Sequence, residues 1–172
     1  MTTRVWEGRY LAVEKQGSWE YAVRNRGIEA AVIVAVDEGE DGGHLLLVEQ
    51  HRVPTGRNCI ELPAGLIGDE EEGEALETAA ARELEEETGY RPDRIERLGE
   101  FYSSPGMTSE AFTLVRATGL TRTGEGGGAE NEAITVHRVK LAELAEFVAA
   151  KRAEGLGVDA KLLAVLGPML LG

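Results

Sequence analysis

The segment Gly68–Tyr90 constrains the chain more than any other, because it joins a helical pattern to a dense cluster of carboxylates. It holds ten acidic residues and one basic residue, Arg82. In its second half, apolar residues recur every four positions, which predicts the buried stripe of a helix, namely Leu76, Ala80 and Leu84. Gly89 is a suitable residue to end that helix.

Three glutamates of the predicted helix, Glu83, Glu86 and Glu87, stand at positions i, i+3 and i+4 and therefore share one face. That face lies about a sixth of a turn from Ala80, so we expect the carboxylates to line the edge of a cleft. Like charges at this spacing repel each other. A hard divalent cation such as Mg²⁺ would offset the repulsion, because it binds carboxylate oxygens. The alternative is an acidic helix whose charges are only solvated.

The spacing of this segment is more specific than its composition. Gly68 is followed after five residues by Glu74, and after seven more by the run Arg82–Tyr90. This arrangement resembles the Nudix box at each of its nine fixed positions. The resemblance implies an α+β Nudix fold, an α/β/α sandwich with a mixed β-sheet. It also implies that the box glutamates hold Mg²⁺ against a diphosphate, with Mn²⁺ or another divalent cation as a substitute.

The glycine that opens the box stays undecided between two positions. Family members with a Pro-Ala-Gly run before the box usually use that glycine as the first box residue. Here Pro63-Ala64-Gly65 lies three residues before Gly68. Gly68 fits the spacing, and Gly65 is the other candidate.

The box also yields candidate metal ligands. Glu83 and Glu87 come first, because carboxylates at i and i+4 can converge on one ion or bridge two, and Glu86 is the third. The family resemblance adds the backbone carbonyl of Ala64. Arg82, as a member of the catalytic group, is expected to orient Glu86, four residues later, or a loop glutamate.

A second resemblance concerns the substrate. The run Glu61–Gly65 is typical of the ADP-ribose pyrophosphatase branch, which also carries a proline about 15 residues after the box; here this is Pro105. The resemblance implies a hydrolase that splits ADP-ribose into AMP and ribose 5-phosphate. The candidates to bind substrate near Pro105 are Gly106, Met107 and Glu110. Arg52 is a candidate to meet a phosphate, and a surface salt bridge is the alternative for it.

A glycine-rich segment at 121–129 predicts a mobile loop, and an acidic pair follows it. In bacterial ADP-ribose pyrophosphatases a mobile loop ending in such a cluster supplies the general base and a further metal contact. By position, Glu130 would be the base and Glu132 the metal contact, with loop closure bringing them to bound substrate. The alternative is a solvated acidic pair.

The first 25 residues are predicted to form a β-hairpin module, and residues 26–172 the Nudix domain. Arg9–Lys15 and Trp19–Arg24 alternate as strands around a Gly-Ser turn. Trp19 and Tyr21 would share one face, either for packing or for stacking on a substrate base. By analogy with the pyrophosphatases, we expect a homodimer formed through these strands.

The rest of the chain alternates predicted strands with two late helices, which indicates helices on both sides of a mixed sheet. The predicted strands are Glu29–Val36, His44–Glu49, Ile60–Leu62, Arg94–Tyr102, Ala111–Ala117 and Ile134–Val139, with a loop at 37–43. The predicted helices are Leu141–Arg152 and Asp159–Leu171.

Composition excludes several classes of function. The net charge of −13 argues against nonspecific nucleic-acid binding, which needs a basic surface. No apolar run reaches the roughly 18 residues of a membrane span, and the N-terminus lacks the apolar core of a signal peptide. The single cysteine, Cys59, is predicted to be a buried thiol and fits a cytoplasmic protein.

Three alternatives to ADP-ribose hydrolysis stay open from the sequence. The first is hydrolysis of another nucleoside diphosphate sugar, such as GDP-mannose. The second is a module that binds ADP-ribose without cleaving it, although that reading predicts a degraded box. The third is a structural domain, which would leave the acidic cluster unexplained.

Overall fold

The computed structural model of the chain describes residues 1–25, 29–39, 42–67, 73–129 and 133–171, with side chains as far as residue 167. Gly68, Glu130 and Glu132, which the sequence analysis singled out, lie outside the described residues.

The N-terminal segment forms a small antiparallel sheet of three strands: β1 (Thr3–Glu7), β2 (Leu11–Gln16) and β3 (Trp19–Arg24). The sequence predicted only the β2–β3 hairpin, because every residue of β1 is exposed and shows no buried alternation. The sheet is tied to the rest of the chain at Ala22. Its amide donates to the carbonyl of Met107 at 2.9 Å, and its carbonyl accepts from Ser109 at 3.1 Å.

The main sheet of the described chain has eight strands. They are β4 (Glu29–Gly39), β5 (Gly42–Arg52), β6 (Arg57–Glu61), β7 (Ala64–Ile67), β9 (Arg94–Tyr102), β10 (Ala111–Thr118), β12 (Thr135–Lys140) and β13 (Gly157–Val158). Their order is β13-β6-β5-β4-β10-β9, with β12 paired to β5 and β7 paired to β4. Two of the pairings, β4 with β10 and β6 with β13, are parallel, and the others are antiparallel. The predicted mixed sheet is thereby confirmed. A separate pair joins β8 (Tyr90–Arg91) to β11 (Thr121–Arg122).

Each face of the main sheet is covered by helix. On one face, α1 (Leu76–Thr88) packs Leu76, Ala80 and Leu84 against alternate residues of β4, Ala31, Ile33 and Ala35. On the other face, α2 (Leu144–Ala153) and α3 (Leu163–Leu171) cover the intervening residue Val32 and the side chains Leu45 and Leu47 of β5. Period-two alternation thus divides β4 between two cores, and the α/β/α sandwich is confirmed.

Helix α1 ends where the sequence predicted. Gly89 adopts a left-handed conformation, with φ of 74°, and its amide donates to the carbonyl of Glu85 at 2.8 Å. A residue with a side chain is disfavoured at this backbone conformation, which explains the glycine.

Several boundaries differ from the predictions. Strands β4 and β5 run through most of the predicted loop at 37–43, since Gly39 pairs with Gly42. Strand β7 was missed because its four residues show no alternation, and pairing with β4 makes it a strand. A 3₁₀ turn, Leu141–Glu143 or Ala160–Leu162, precedes each late helix. None of the helices in the described part of the chain has the length and apolar character to cross a bilayer.

Candidate active site

One cavity of about 410 Å³ opens beside the C-terminal half of α1. Its wall is built from residues of α1, β3, β4, β5, β6, β7 and β10, together with side chains from two connecting segments and Lys161. The lining residues include Arg24, Gln50, Arg52, Glu61, Ala64, Gly65, Arg82, Glu83, Glu86, Glu87, Ser103, Glu110, Phe112, Ala129 and Lys161. Residues from both ends of the chain therefore meet at one site.

One wall of the cavity is acidic, because α1 presents Glu83, Glu86 and Glu87 to it. Burial differs among the three, since Glu87 is only 5% exposed whereas Glu86 is exposed. The carboxylate of Glu87 accepts a hydrogen bond from the backbone amide of Ala64 at 3.1 Å. Burial of a carboxylate without such a donor would be strongly unfavourable. Strand β7 thus holds one of the predicted ligands directly.

Gly65 lets strand β7 approach α1 closely. A Cβ atom at this position would lie 2.7 Å from Oε1 of Glu83 and nearer still to Cγ and Cδ of that side chain. A residue larger than glycine would displace Glu83. This contact explains why position 65 requires glycine.

Arg82 lies among the glutamates of α1. Its guanidinium is 3.1 Å from Oε1 of Glu83 and 3.2 Å from Oε2 of Glu86, with a longer contact of 3.5 Å to Glu74. The contact to Glu86 is the one that its predicted orienting role requires. The guanidinium also offsets the repulsion between the carboxylates at i and i+3.

The donor atoms on this wall suit a hard divalent cation. Carboxylate oxygens from Glu83, Glu86 and Glu87 line the same cavity, and Mg²⁺ binds such oxygens while keeping sites for water and phosphate. Within the described ranges, no three His, Cys, Asp or Glu side chains are grouped closely enough to hold an ion together. The chemistry of the wall therefore fits the cation, and binding it requires the glutamate side chains to converge.

The cavity is also lined by an ion pair between Arg24 and Glu110, of which only Glu110 was predicted from the sequence. Arg24, at the end of β3, contacts Oε1 of Glu110 through Nη2 at 2.6 Å and Nε at 3.1 Å. The hydroxyl of Ser103 donates to the other oxygen of Glu110 at 3.0 Å. Burial raises the pKa of Glu110, but the bonds from Arg24 and Ser103 outweigh it, so the pKa lies below its ordinary value.

The position of Arg52 is compatible with both roles that were predicted for it as alternatives, a salt bridge and a phosphate contact. It forms a bidentate pair with Glu61, at 2.7 and 2.8 Å, and it also lines the cavity. Glu61 is 4% exposed, and its hydrogen bonds raise the pKa of Arg52. A paired guanidinium on a cavity wall keeps outward N–H donors for an anion.

Lys161 is a second cation that the sequence analysis missed. Its ammonium lies 2.6 Å from Oδ2 of Asp159, whose other oxygen accepts from the Lys161 amide at 2.7 Å. Asp159 therefore both caps the 3₁₀ turn and holds the lysine toward the cavity. The only local signal was Asp159 as a possible cap, which says nothing about what the following lysine faces.

Other predicted substrate residues lie outside this cavity. Pro105, Gly106 and Met107 are exposed, as is Trp19, while Tyr21 is half-buried, and none of them lines the cavity. They remain predictions, as do the roles of Glu130 and Glu132. Cys59 is buried, as predicted, and lies outside the cavity.

The glutamate-lined helix and the sandwich around it define a class of protein. A model of the NUDIX domain matches residues 27–167. The match covers most of the chain, so the chain belongs to the Nudix family and is a Nudix hydrolase.

Individual relatives narrow the branch. A GDP-mannose pyrophosphatase of Cronobacter sakazakii is 36% identical over 152 residues, 84% of this chain and 74% of that protein. A methanol dehydrogenase activator of Bacillus methanolicus is 32% identical over 160 residues, 88% and 82% of the two chains. An ADP-ribose pyrophosphatase of Bacillus subtilis is 40% identical over 91 residues, 53% of this chain and 45% of that protein.

A solved structure, described as an ADP compounds hydrolase, superposes with a TM-score of 0.67 at 26% identity. It covers 87% of this chain, and this chain covers 80% of it. The chain is therefore similar to the ADP-ribose pyrophosphatase branch of the Nudix family.

Proposed function

We propose that the protein hydrolyses the diphosphate of ADP-ribose, with Mg²⁺ or Mn²⁺, to AMP and ribose 5-phosphate. One observation carries the proposal: a single cavity has the box glutamates on one wall and the cations Arg24, Arg52 and Lys161 elsewhere around it. A diphosphate needs both, because its charge must be neutralised and its position held.

The proposed metal ligands are Glu83, Glu86 and Glu87, with the carbonyl of Ala64 and, outside the described residues, Glu132. When bound, the divalent cation would supply charge neutralisation on the phosphoryl oxygens and a more acidic water. Arg82 keeps Glu86 in place through the contact at 3.2 Å. These proposed roles follow from the resemblance of the segment to the Nudix box.

The proposed reaction breaks one phosphorus–oxygen bond of the diphosphate bridge. Water attacks a phosphorus atom, Glu130 accepts its proton as general base, and the bridging oxygen leaves with the second phosphate. Arg52 offers N–H donors to a phosphate oxygen. Glu110 and Ser103 offer an acceptor and a hydroxyl to the ribose beyond the diphosphate.

The test is release of AMP from ADP-ribose with and without Mg²⁺, using Glu83→Gln and Glu87→Gln. We expect each variant to lose about 100-fold or more in kcat, because removal of a transition-state charge contact is worth several kcal/mol. Glu77→Gln is the matched control, since Glu77 lies on the same helix, pairs with Arg97 and does not line the cavity. Activity of either ligand variant within a few-fold of wild type would contradict the metal assignment.

A second candidate substrate is another nucleoside diphosphate sugar, because the GDP-mannose pyrophosphatase relative spans 84% of this chain. A panel containing ADP-ribose, ADP-glucose and GDP-mannose separates the two by kcat/KM. We expect ADP-ribose to give the highest value. Binding of ADP-ribose with no turnover under any metal would support the sensing alternative instead.

We also propose a homodimer formed through the N-terminal sheet, acting in the cytoplasm. The support is a pair of large apolar side chains left exposed on that sheet, Trp6 at 56% and Trp19 at 62%. In a dimer, Trp19 and Tyr21 would reach the base of a substrate bound by the partner subunit. Sedimentation as a monomer at micromolar concentration would contradict this assembly.

A further inference from the structure

The glycine-rich segment Thr123–Gly128, here called the capping loop, lies against the C-terminal end of α1. The last carbonyls of a helix have no partners within the helix. In this chain the amide of Gly127 donates to the carbonyl of Glu87 at 2.9 Å, and the amide of Gly128 donates to that of Glu86 at 3.1 Å. The sequence predicted a mobile loop, whereas the structure bonds this part of it to the helix.

The capping loop is bonded to the helix end on a second side as well. The carbonyl of Gly89 accepts from the amides of Thr123 and Gly124, at 2.8 and 3.2 Å, and from the Thr123 hydroxyl at 3.2 Å. Five hydrogen bonds therefore connect one short loop to the last turn of α1 and its terminal glycine.

This arrangement requires glycine at two positions, because backbone meets backbone. A Cβ atom on Gly126 would lie 2.5 Å from the carbonyl oxygen of Glu87 and 2.7 Å from Cα of Thr88. A Cβ atom on Gly89 would lie 2.7 Å from the amide nitrogen of Gly126. Both glycines also have positive φ, 68° and 74°. Backbone atoms cannot rotate away as a side chain does, so a larger residue must separate loop from helix.

We propose that the capping loop positions the last turn of α1 for the reaction, and that Gly126 is a positioning residue for Glu86 and Glu87. The proposal rests on the proposed function. Helix ends fray when nothing holds them, and here the two helix residues whose carbonyls the loop holds, Glu86 and Glu87, are two of the three α1 glutamates whose carboxylates line the cavity. Holding the backbone of these residues limits where their side chains reach. Glu130, the proposed general base, follows Gly128 by two residues in the sequence.

Gly126→Ala tests the proposal, and Gly124→Ala is the matched control in the same loop. Gly124 has ordinary backbone geometry and open space where a Cβ would lie. Three quantities are measured on each full-length protein: deuterium uptake across residues 84–89 and 123–128, Mn²⁺ affinity by electron paramagnetic resonance, and kcat and KM for ADP-ribose.

For Gly126→Ala we expect faster deuterium uptake in both segments, Mn²⁺ binding weaker by roughly 10-fold, and kcat lower by about 10- to 100-fold, because a shift near 1 Å misplaces reacting groups. KM should change by less than about threefold, because the substitution leaves the proposed substrate-binding residues unchanged. Gly124→Ala should match wild type in all three quantities.

Uptake at wild-type rates in Gly126→Ala would overturn the proposal, and so would faster uptake with unchanged Mn²⁺ affinity and kcat. If Gly126→Ala does not fold by circular dichroism, Thr123→Val replaces it, since it removes only the hydroxyl bond to Gly89. We expect the backbone amides of both segments in Thr123→Val to exchange about two- to tenfold faster than in wild type, as for the loss of one hydrogen bond, and kcat to be lower. Unchanged exchange rates and an unchanged kcat would overturn the proposal. Should wild type not cleave ADP-ribose, the proposed function fails, while uptake and Mn²⁺ affinity still decide the role of the loop.

Discussion

Replacement of Gly65 by alanine should cripple the enzyme without unfolding it. The added Cβ would lie 2.7 Å from Oε1 of Glu83 and closer to Cγ and Cδ. Non-bonded carbon atoms rest about 3.5–4.0 Å apart, so the Glu83 side chain must move by roughly 1 Å or more. A misplacement of that size in a reacting group can lower the rate about 100-fold, or nearly 3 kcal/mol of transition-state stabilisation.

The fold should survive this change, because the clash is with a side chain that can rotate toward the cavity rather than with backbone. We expect the melting temperature to stay within a few degrees of wild type. The assay is kcat/KM for ADP-ribose at saturating Mg²⁺. Gly167→Ala is the control, since a Cβ atom added at Gly167 would lie in open space.

A double-mutant cycle shows whether the loss acts through Glu83. In the Glu83→Gln background, Gly65→Ala should cost far less than in wild type, because residues in contact are not additive. The reasoning is refuted if Gly65→Ala keeps kcat/KM within threefold of wild type. It is equally refuted if the two losses multiply in the double variant.

Two further predictions concern the cavity residues Arg24, Glu110 and Lys161. Because the pKa of Glu110 lies below its ordinary value of 4.5, its pair with Arg24 stabilises the fold above that pH, and this contribution is lost as pH falls through the folded-state pKa. Arg24→Met should therefore melt lower than wild type at about pH 7, and the difference should shrink as the pH falls through the folded-state pKa of Glu110; a constant difference would contradict the assignment. Lys161→Met should raise KM for ADP-ribose about 10-fold or more, as for a charged hydrogen bond. Lys151→Met, which loses contacts to Glu49, Glu154 and the Phe147 ring at a position that does not line the cavity, should leave KM unchanged, and equal effects of the two changes would refute a substrate contact.

The central helix was predictable because its evidence is local. An apolar residue at every fourth position predicts the buried face of the helix, and a glycine after the last turn predicts its end. Both the apolar stripe through Leu84 and the helix end at Gly89 are confirmed. The acidic wall follows from the same periodicity. By contrast, β7 has four residues and no alternation, and only its pairing with β4 makes it a strand.

Two cations of the cavity, Arg24 and Lys161, were beyond local reasoning. Arg24 ends a strand of the N-terminal sheet and Lys161 precedes the last helix, so only the packing of both ends of the chain brings them to one cavity. Nothing in the neighbouring residues distinguishes them from surface charges. Arg52 was found because it follows a predicted strand, where a side chain can meet a ligand.

Two features determine the candidate site: the charge of its glutamates, and the backbone contacts that position these glutamates. The glutamates supply the charge, and their identities are readable from spacing alone. Their positions depend on backbone contacts at Gly65, Gly89 and Gly126, where a Cβ atom would strike Glu83 or the neighbouring backbone. Since glycine carries no chemistry of its own, these positions read from sequence as turns or flexible loops. It follows that glycine-to-alanine changes here should reduce catalysis by about 10- to 100-fold, whereas the same change at Gly124 or Gly167 should not.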